Sequence, residues 1–139
     1  MSDEHYRRLE HLYVNAPTNA YYRPVIRVGH GVAEIEIEIR HEFHHAADAV
    51  HGSVYFKMLD DAGFFAANSV VFDNFVLTSD FTIHLLRPVA EGMLLAKGKL
   101  VHEGARQLLA ESQLFGPDGQ LLAHGVGTFV RSKLPLARG

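Results

Sequence analysis

Two stretches of the sequence carry residue types that do chemistry, and both fall between residues 41 and 80. The conspicuous one is a histidine run. His41-Glu42-Phe43-His44-His45 has the H-E-x-x-H spacing of zinc proteases, and His51 stands where a third ligand would be. The quieter one is His51-Gly52-Ser53, followed by Asp60-Asp61 and then Thr78-Ser79-Asp80. If residues 52–70 are helical, Asp60 neighbours Phe56, Gly63, Phe64 and Ala67, on the flank of an apolar stripe. A carboxylate there is costly unless it is partnered or used, whereas Asp61 falls on a polar stripe with Lys57 and Asn68 and reads as solvated or ion-paired.

The zinc motif works only on a helix, which stacks its two histidines on one face. Here an alternating strand runs straight into His41 and the next helix opens only near Gly52, so the helix that must hold the ligands has no room. The motif's glycine is also replaced, by Asp48. His41, His44 and His45 therefore read as a polar loop leaving a strand, and no metal site is expected.

The elements that must position the second group are legible from periodicity. Residues 3–14 form an amphipathic helix with Asp3 and Glu4 in its first turn and Tyr6, Leu9, Leu12 and Tyr13 near one face. Pro17 ends it. Residues 25–28 are a short strand before the Gly29-His30-Gly31 turn. In residues 33–40 the isoleucines at 35, 37 and 39 alternate with glutamates at 34, 36 and 38, which turns one face inward and leaves an acidic face in water. From Gly52 to about Val70, Tyr55, Leu59, Ala62, Ala66 and Val70 make a continuous stripe, and Met58, Phe64 and Phe65 leave little of the circumference polar, the pattern of a buried helix. Its small residues, Ala62, Gly63, Ala66 and Ala67, let neighbouring backbone come close. Four strands follow, over 75–86, 94–101, 107–115 and 121–130, joined by turn signals such as Gly116-Pro117-Asp118-Gly119. Their short connections predict a four-strand antiparallel meander. The result is an α+β fold, an antiparallel sheet around a long central helix with a short helix at the N-terminal side.

Residues 1–139 suit one domain with a genuine core, at 47% hydrophobic and 21% charged residues. The formal charge of −3 argues against a nucleic-acid surface. With no cysteine, thiolate metal sites, disulfides and a cysteine nucleophile are excluded. The first residues carry acids and lack the apolar stretch of a signal peptide, and no apolar run approaches a bilayer span, so a soluble cytoplasmic protein without membrane contact is the expectation.

The unit from Val50 to Asn68 resembles the signature of hotdog-fold acyl-CoA thioesterases of the hydroxybenzoyl-CoA and phenylacetate-pathway type. In those proteins a His-Gly-Gly turn opens the central helix and an acid lies two and a half turns on. Here the turn is His51-Gly52-Ser53 and the acid is Asp60. Thr78-Ser79-Asp80 is similar to the family's middle strand, and Leu86-Arg87-Pro88 to its end. The similarity runs over residues 25–132. His45 and Asp48 stand where the family often has Asn and Gly, and Ser53 replaces the second glycine.

The resemblance implies hydrolysis of an acyl-CoA thioester, without a cofactor, by a homodimer or dimer-of-dimers tetramer whose sites lie between subunits. Asp60 would attack the carbonyl or activate a water, the Gly52 N–H would hold the developing oxyanion at the His51 turn, and Thr78 would orient Asp60 or the water. His45 would replace the family's Asn, with Ser53 and Phe56 also at the substrate. Arg87 and Arg131, and more weakly Arg106 and Lys133, are the cations for coenzyme A phosphates. Two other readings keep the fold: a non-catalytic acyl-CoA binder or regulator, which the changes at 45 and 48 favour, and a hydroxyacyl dehydratase, whose expected proline-glycine motif before the helix is missing.

Overall fold

The structure, a computed structural model, describes residues 2–136. Helix α1 (Ser2–Val14) and a single turn α2 (Asn19–Tyr22) precede strands β1 (Val25–Gly29) and β2 (Val32–Glu38). A 3-10 turn (His41–Phe43) and an extended loop lead into α3 (Gly52–Asn68), followed by β3 (Asn74–Leu85), β4 (Met93–Glu103), β5 (Gln107–Phe115) and β6 (Leu121–Pro135). All strand pairs are antiparallel, in the order β1-β2-β4-β5-β6-β3.

The sheet wraps α3. Ile35 and Ile37 of β2 are fully buried, with Leu94, Leu114 and Leu122 from β4, β5 and β6 and Met58 and Leu59 from the helix. Close approach is built into both partners. A Cβ at Gly98 of β4 would lie 2.2 Å from the Ala62 carbonyl oxygen, so only glycine lets the helix backbone rest there. On β5 the Ser112 hydroxyl donates to the Leu59 carbonyl at 2.7 Å.

Helix α3 ends at Asn68, two residues short of the expected Val70, because the Asn68 side chain takes over the chain's exit. Its Nδ2 donates to the Val71 and Asn74 carbonyls, and its Oδ1 accepts from the Val76 N–H at 2.9 Å. This capture fixes where β3 starts. It also makes Asn68 part of a buried junction and not of a polar stripe with Lys57 and Asp61.

The expected four-strand meander is corrected to three strands. β3 pairs with β6, and β4 pairs with β2. Residues 86–92 can span up to roughly 20 Å when extended, enough to carry the chain past two intervening strands spaced about 4.8 Å apart. β3 is thereby left as a sheet edge of twelve residues. No helix of the described residues is long and apolar enough to cross a membrane.

Candidate active site

The histidine run forms no α-helix, only the 3-10 turn His41–Phe43. After the 3-10 turn the chain is extended at His44, whose Nε2 is paired with the Ala90 carbonyl at 2.7 Å, so H-E-x-x-H does not present stacked ligands. Among the described residues, no three His, Asp or Glu side chains gather in metal-holding geometry.

Asp60 lies on the side of α3 that faces β3 and the end of α1. The Thr78 hydroxyl donates to Asp60 Oδ1 at 2.9 Å, which leaves Oδ2 without a protein partner among the described residues. The carboxylate opens onto a cavity of about 400 Å³ whose walls include Leu12, Phe64, Phe65, Phe75 and Leu77. Burial pushes Asp60 up to about 6; the Thr78 hydrogen bond pulls the other way, the Asp61 charge raises it further and Lys57 lowers it. A carboxylate in that range is ionised at neutral pH yet basic enough to take a proton from water.

The pair that the sequence places next to Asp60, Lys57 and Asp61, gains a third member from α1. Asp61 Oδ2 accepts from the Tyr13 hydroxyl at 2.7 Å and from Lys57 Nζ at 2.8 Å. Burial, followed by the Asp61 charge, drives the Tyr13 phenol far above its ordinary value. The i, i+4 spacing of Lys57 and Asp61 announced their pair. The Tyr13 contact joins residues 48 positions apart and has no local signal.

Others gather at the N-terminal end of the helix, two turns before Asp60. His51 is the N-cap of α3, and its Nδ1 accepts from the Ser53 N–H at 3.0 Å. The Val54 N–H is taken by the His51 carbonyl. Among the described residues nothing accepts from the Gly52 N–H, which remains the free donor of the first turn. A second cavity there is lined by His45, Gly52, Tyr55 and Arg87 with Val50 and Leu85. The Ala47 N–H donates to His45 Nδ1 at 3.0 Å, so in the neutral ring the proton sits on Nε2 and makes it a donor. Asp48 takes a left-handed conformation (φ 63°), which preserves a turn that glycine would also make.

Phe56 and Arg131 join neither group. Phe56 is 41% exposed and meets Phe81 edge-on, while Arg131 donates to the Gly104 carbonyl and pairs with Glu103 at the β4–β5 turn. Asp60 and Gly52 are themselves eight residues apart on one helix, about 12 Å along its axis. One carbonyl cannot touch both within a single chain.

The thioesterase superfamily matches residues 48–123, just over half of the chain and the stretch that holds Gly52, Asp60, Thr78 and Arg87. The chain belongs to the thioesterase superfamily. Its reaction class is accordingly hydrolysis of a thioester. A candidate esterase of Saccharolobus solfataricus is 28% identical over 105 residues, covering 76% of this chain and 75% of the other. Among solved structures, a conserved protein of Pseudomonas aeruginosa is 28% identical with a TM-score of 0.79, covering 84% of this chain and 94% of that one. The Escherichia coli PaaI protein from the phenylacetic acid degradation operon has a TM-score of 0.87 at 20% identity, covering 96% and 97%. This superfamily member thus has the hotdog fold.

Proposed function

We propose that the protein hydrolyses acyl-coenzyme A thioesters at a site completed by two copies of the chain. The observation that carries this is Asp60, a half-buried carboxylate of raised basicity with one oxygen held by Thr78 and the other facing an apolar cavity of acyl size. The oxyanion donor is 12 Å or so away on the same helix, so it comes from a partner. β3 is the means. Thr78 lies beside Asp60, and Leu85 lies beside Gly52, where a glycine Cβ would meet Leu85 Cδ1 at 3.2 Å. Two β3 edges pairing antiparallel about a point between Phe81 and Thr82 set Thr78 of one copy opposite the partner's Leu85, and hence Asp60 near the partner's Gly52.

In this reading the acyl group enters the cavity beside Asp60. The thioester oxygen is held by the Gly52 N–H at the positive end of α3, with the His45 Nε2–H as second donor. His51 and Ser53 shape that turn, His51 as cap. Arg87, which lines the second cavity, meets coenzyme A phosphate; Arg131 contributes only from the partner or through a long coenzyme A arm. Asp60 Oδ2 either takes the proton of a water that attacks the carbonyl carbon, or attacks it directly to give an anhydride that water then opens. In both routes the C–S bond breaks: in the first the leaving thiolate takes the proton that Asp60 drew from water, and in the second it leaves as the anhydride forms and takes its proton from water. Label from ¹⁸O-water in the Asp60 carboxylate identifies the direct route, because it enters there only when water opens the anhydride at the Asp60 carbonyl carbon.

The two changes that favoured a non-catalytic binder are both accommodated: His45 supplies a donor where the family has Asn, and Asp48 adopts the turn. The test is free-thiol release from a panel of acyl-CoAs. Wild-type protein is expected to turn over at least one, and Asp60→Asn to lower kcat by about 100-fold or more while still binding it. Wild-type rates in Asp60→Asn, or tight binding of one acyl-CoA with no turnover of any, would overturn the proposal.

A further inference from the structure

The Lys57–Asp61–Tyr13 cluster is built more elaborately than a helix surface pair needs. Lys57, Asp60 and Asp61 share one face of α3 at i, i+3 and i+4. The Lys57 and Asp61 side chains are only 14% and 20% exposed, against the open solvent around an ordinary surface pair. Lys57 Nζ lies 4.6 Å from the Tyr22 ring centroid and 5.4 Å from that of Tyr13, so α1 and α2 both cover it with aromatic faces. The donors from Tyr13 and Lys57 converge on the same oxygen, Asp61 Oδ2. All of these except Tyr22 line the cavity that holds Asp60.

Two carboxylates on successive residues in a half-buried cavity repel, and each favours protonation of the other. We propose that Lys57 is a positioning residue for Asp60: its ammonium pins and neutralises Asp61, so that Asp60 stands beside a closed ion pair and not beside a second bare carboxylate. Asp61 in turn anchors α1, through Tyr13, as a wall of the cavity. The pair lets the fold use a carboxylate as anchor next to the reacting one without disabling it. The groups facing Asp60 are Lys57 and Asp61 from its own helix, Tyr13 from α1 and the uncharged Thr78 from β3. This inference rests on the role given to Asp60 above. Its residue on α1 lies outside the stretch matched to the superfamily.

A mere clamp and a charge pair make different predictions. The test is the pH profile of kcat/KM for Lys57→Met, Asp61→Asn, Lys57→Arg and Tyr13→Phe, alongside ¹³C NMR titration of the Asp60 carboxyl in the same full-length proteins. Lys57→Met keeps the aliphatic stem and bares Asp61; the acid limb is expected to move up by about one pH unit. Asp61→Asn keeps an acceptor for Tyr13 and removes the repelling charge, so the limb moves down by a similar amount. Lys57→Arg restores the wild-type profile, and Tyr13→Phe leaves it in place while loosening α1. Opposite movements in the first two variants support the proposal. Movement in the same direction, or lowered melting temperatures with no movement, reduces the cluster to a structural clamp. Should no acyl-CoA be turned over by the wild type, the functional reading fails, and the carboxyl titration still decides the charge pairing.

Discussion

Asp60 destabilises the fold at the pH where it would work. Its ordinary value is 3.8 and burial pushes it up to about 6, so between those values the native state binds more protons than the unfolded chain, and stability falls as pH rises. The protonated form is favoured fully below about pH 4, and that contribution is lost as pH rises through 6. Asp60→Asn, which keeps an oxygen for the Thr78 donor, is expected to melt higher than wild type at pH 8 by the equivalent of about 1–2 kcal/mol. The gain should vanish by pH 4. Thermal melts across that range check this, and an equal gain at both ends would show that burial of charge is not the cause. The carboxylate was legible in the sequence because its helical neighbours are Phe56, Gly63 and Phe64, a setting that asks for a reason. Thr78 was legible by motif alone. The roles of His45 and His51 were not, since they depend on which ring nitrogen the Ala47 and Ser53 amides occupy.

Among the elements, α3 carries both halves of the proposed chemistry, and its seat on the sheet is set by backbone contact more than by side-chain bulk. Gly98→Ala tests that seat. The new Cβ would meet the Ala62 carbonyl, a backbone atom that cannot rotate away, so a loss of about 3 kcal/mol is expected in denaturant unfolding. A change within a few tenths of a kcal/mol would mean that the helix can lift at no cost. The stripe of Tyr55, Leu59, Ala62 and Ala66 and the alternation of Ile35 and Ile37 made α3 and β2 readable, because each follows the period of its own element. The place of β3 was not readable. Its residues predict a strand, but pairing with β6 and not β4 is decided by the packing of the whole sheet, and the loop over 86–92 allows either. The short turn α2 was missed for a similar reason. Its four residues are held by the Asn19 side chain, whose Nδ2 donates to the Tyr13 carbonyl at 2.7 Å, and not by any periodicity.

At the scale of the molecule, the proposed function makes each copy the carrier of two half-sites along the β3 sheet edge. Asp60 with Thr78 stands near the middle of β3, and Gly52 with His45 and Arg87 near its end. The edge exposes Leu77 and Leu85 and half-buries Phe81, an arrangement that a second β3 would cover. Complementation between two inactive variants tests this central claim most directly. Asp60→Asn removes the carboxylate. Gly52→Pro removes the donor N–H at the first helical position, where proline is tolerated and where the extended backbone of His51 (φ −64°, ψ 142°) already suits a following proline. A heterodimer of the two holds one site with both faults and one with neither. Co-expressed at equal levels, two variants that are each nearly inactive on an acyl-CoA are predicted to regain about a quarter of wild-type kcat, half of the sites in the half of dimers that are mixed. Heterodimers that form, shown by mass, yet remain as inactive as their parents would contradict a site shared between copies.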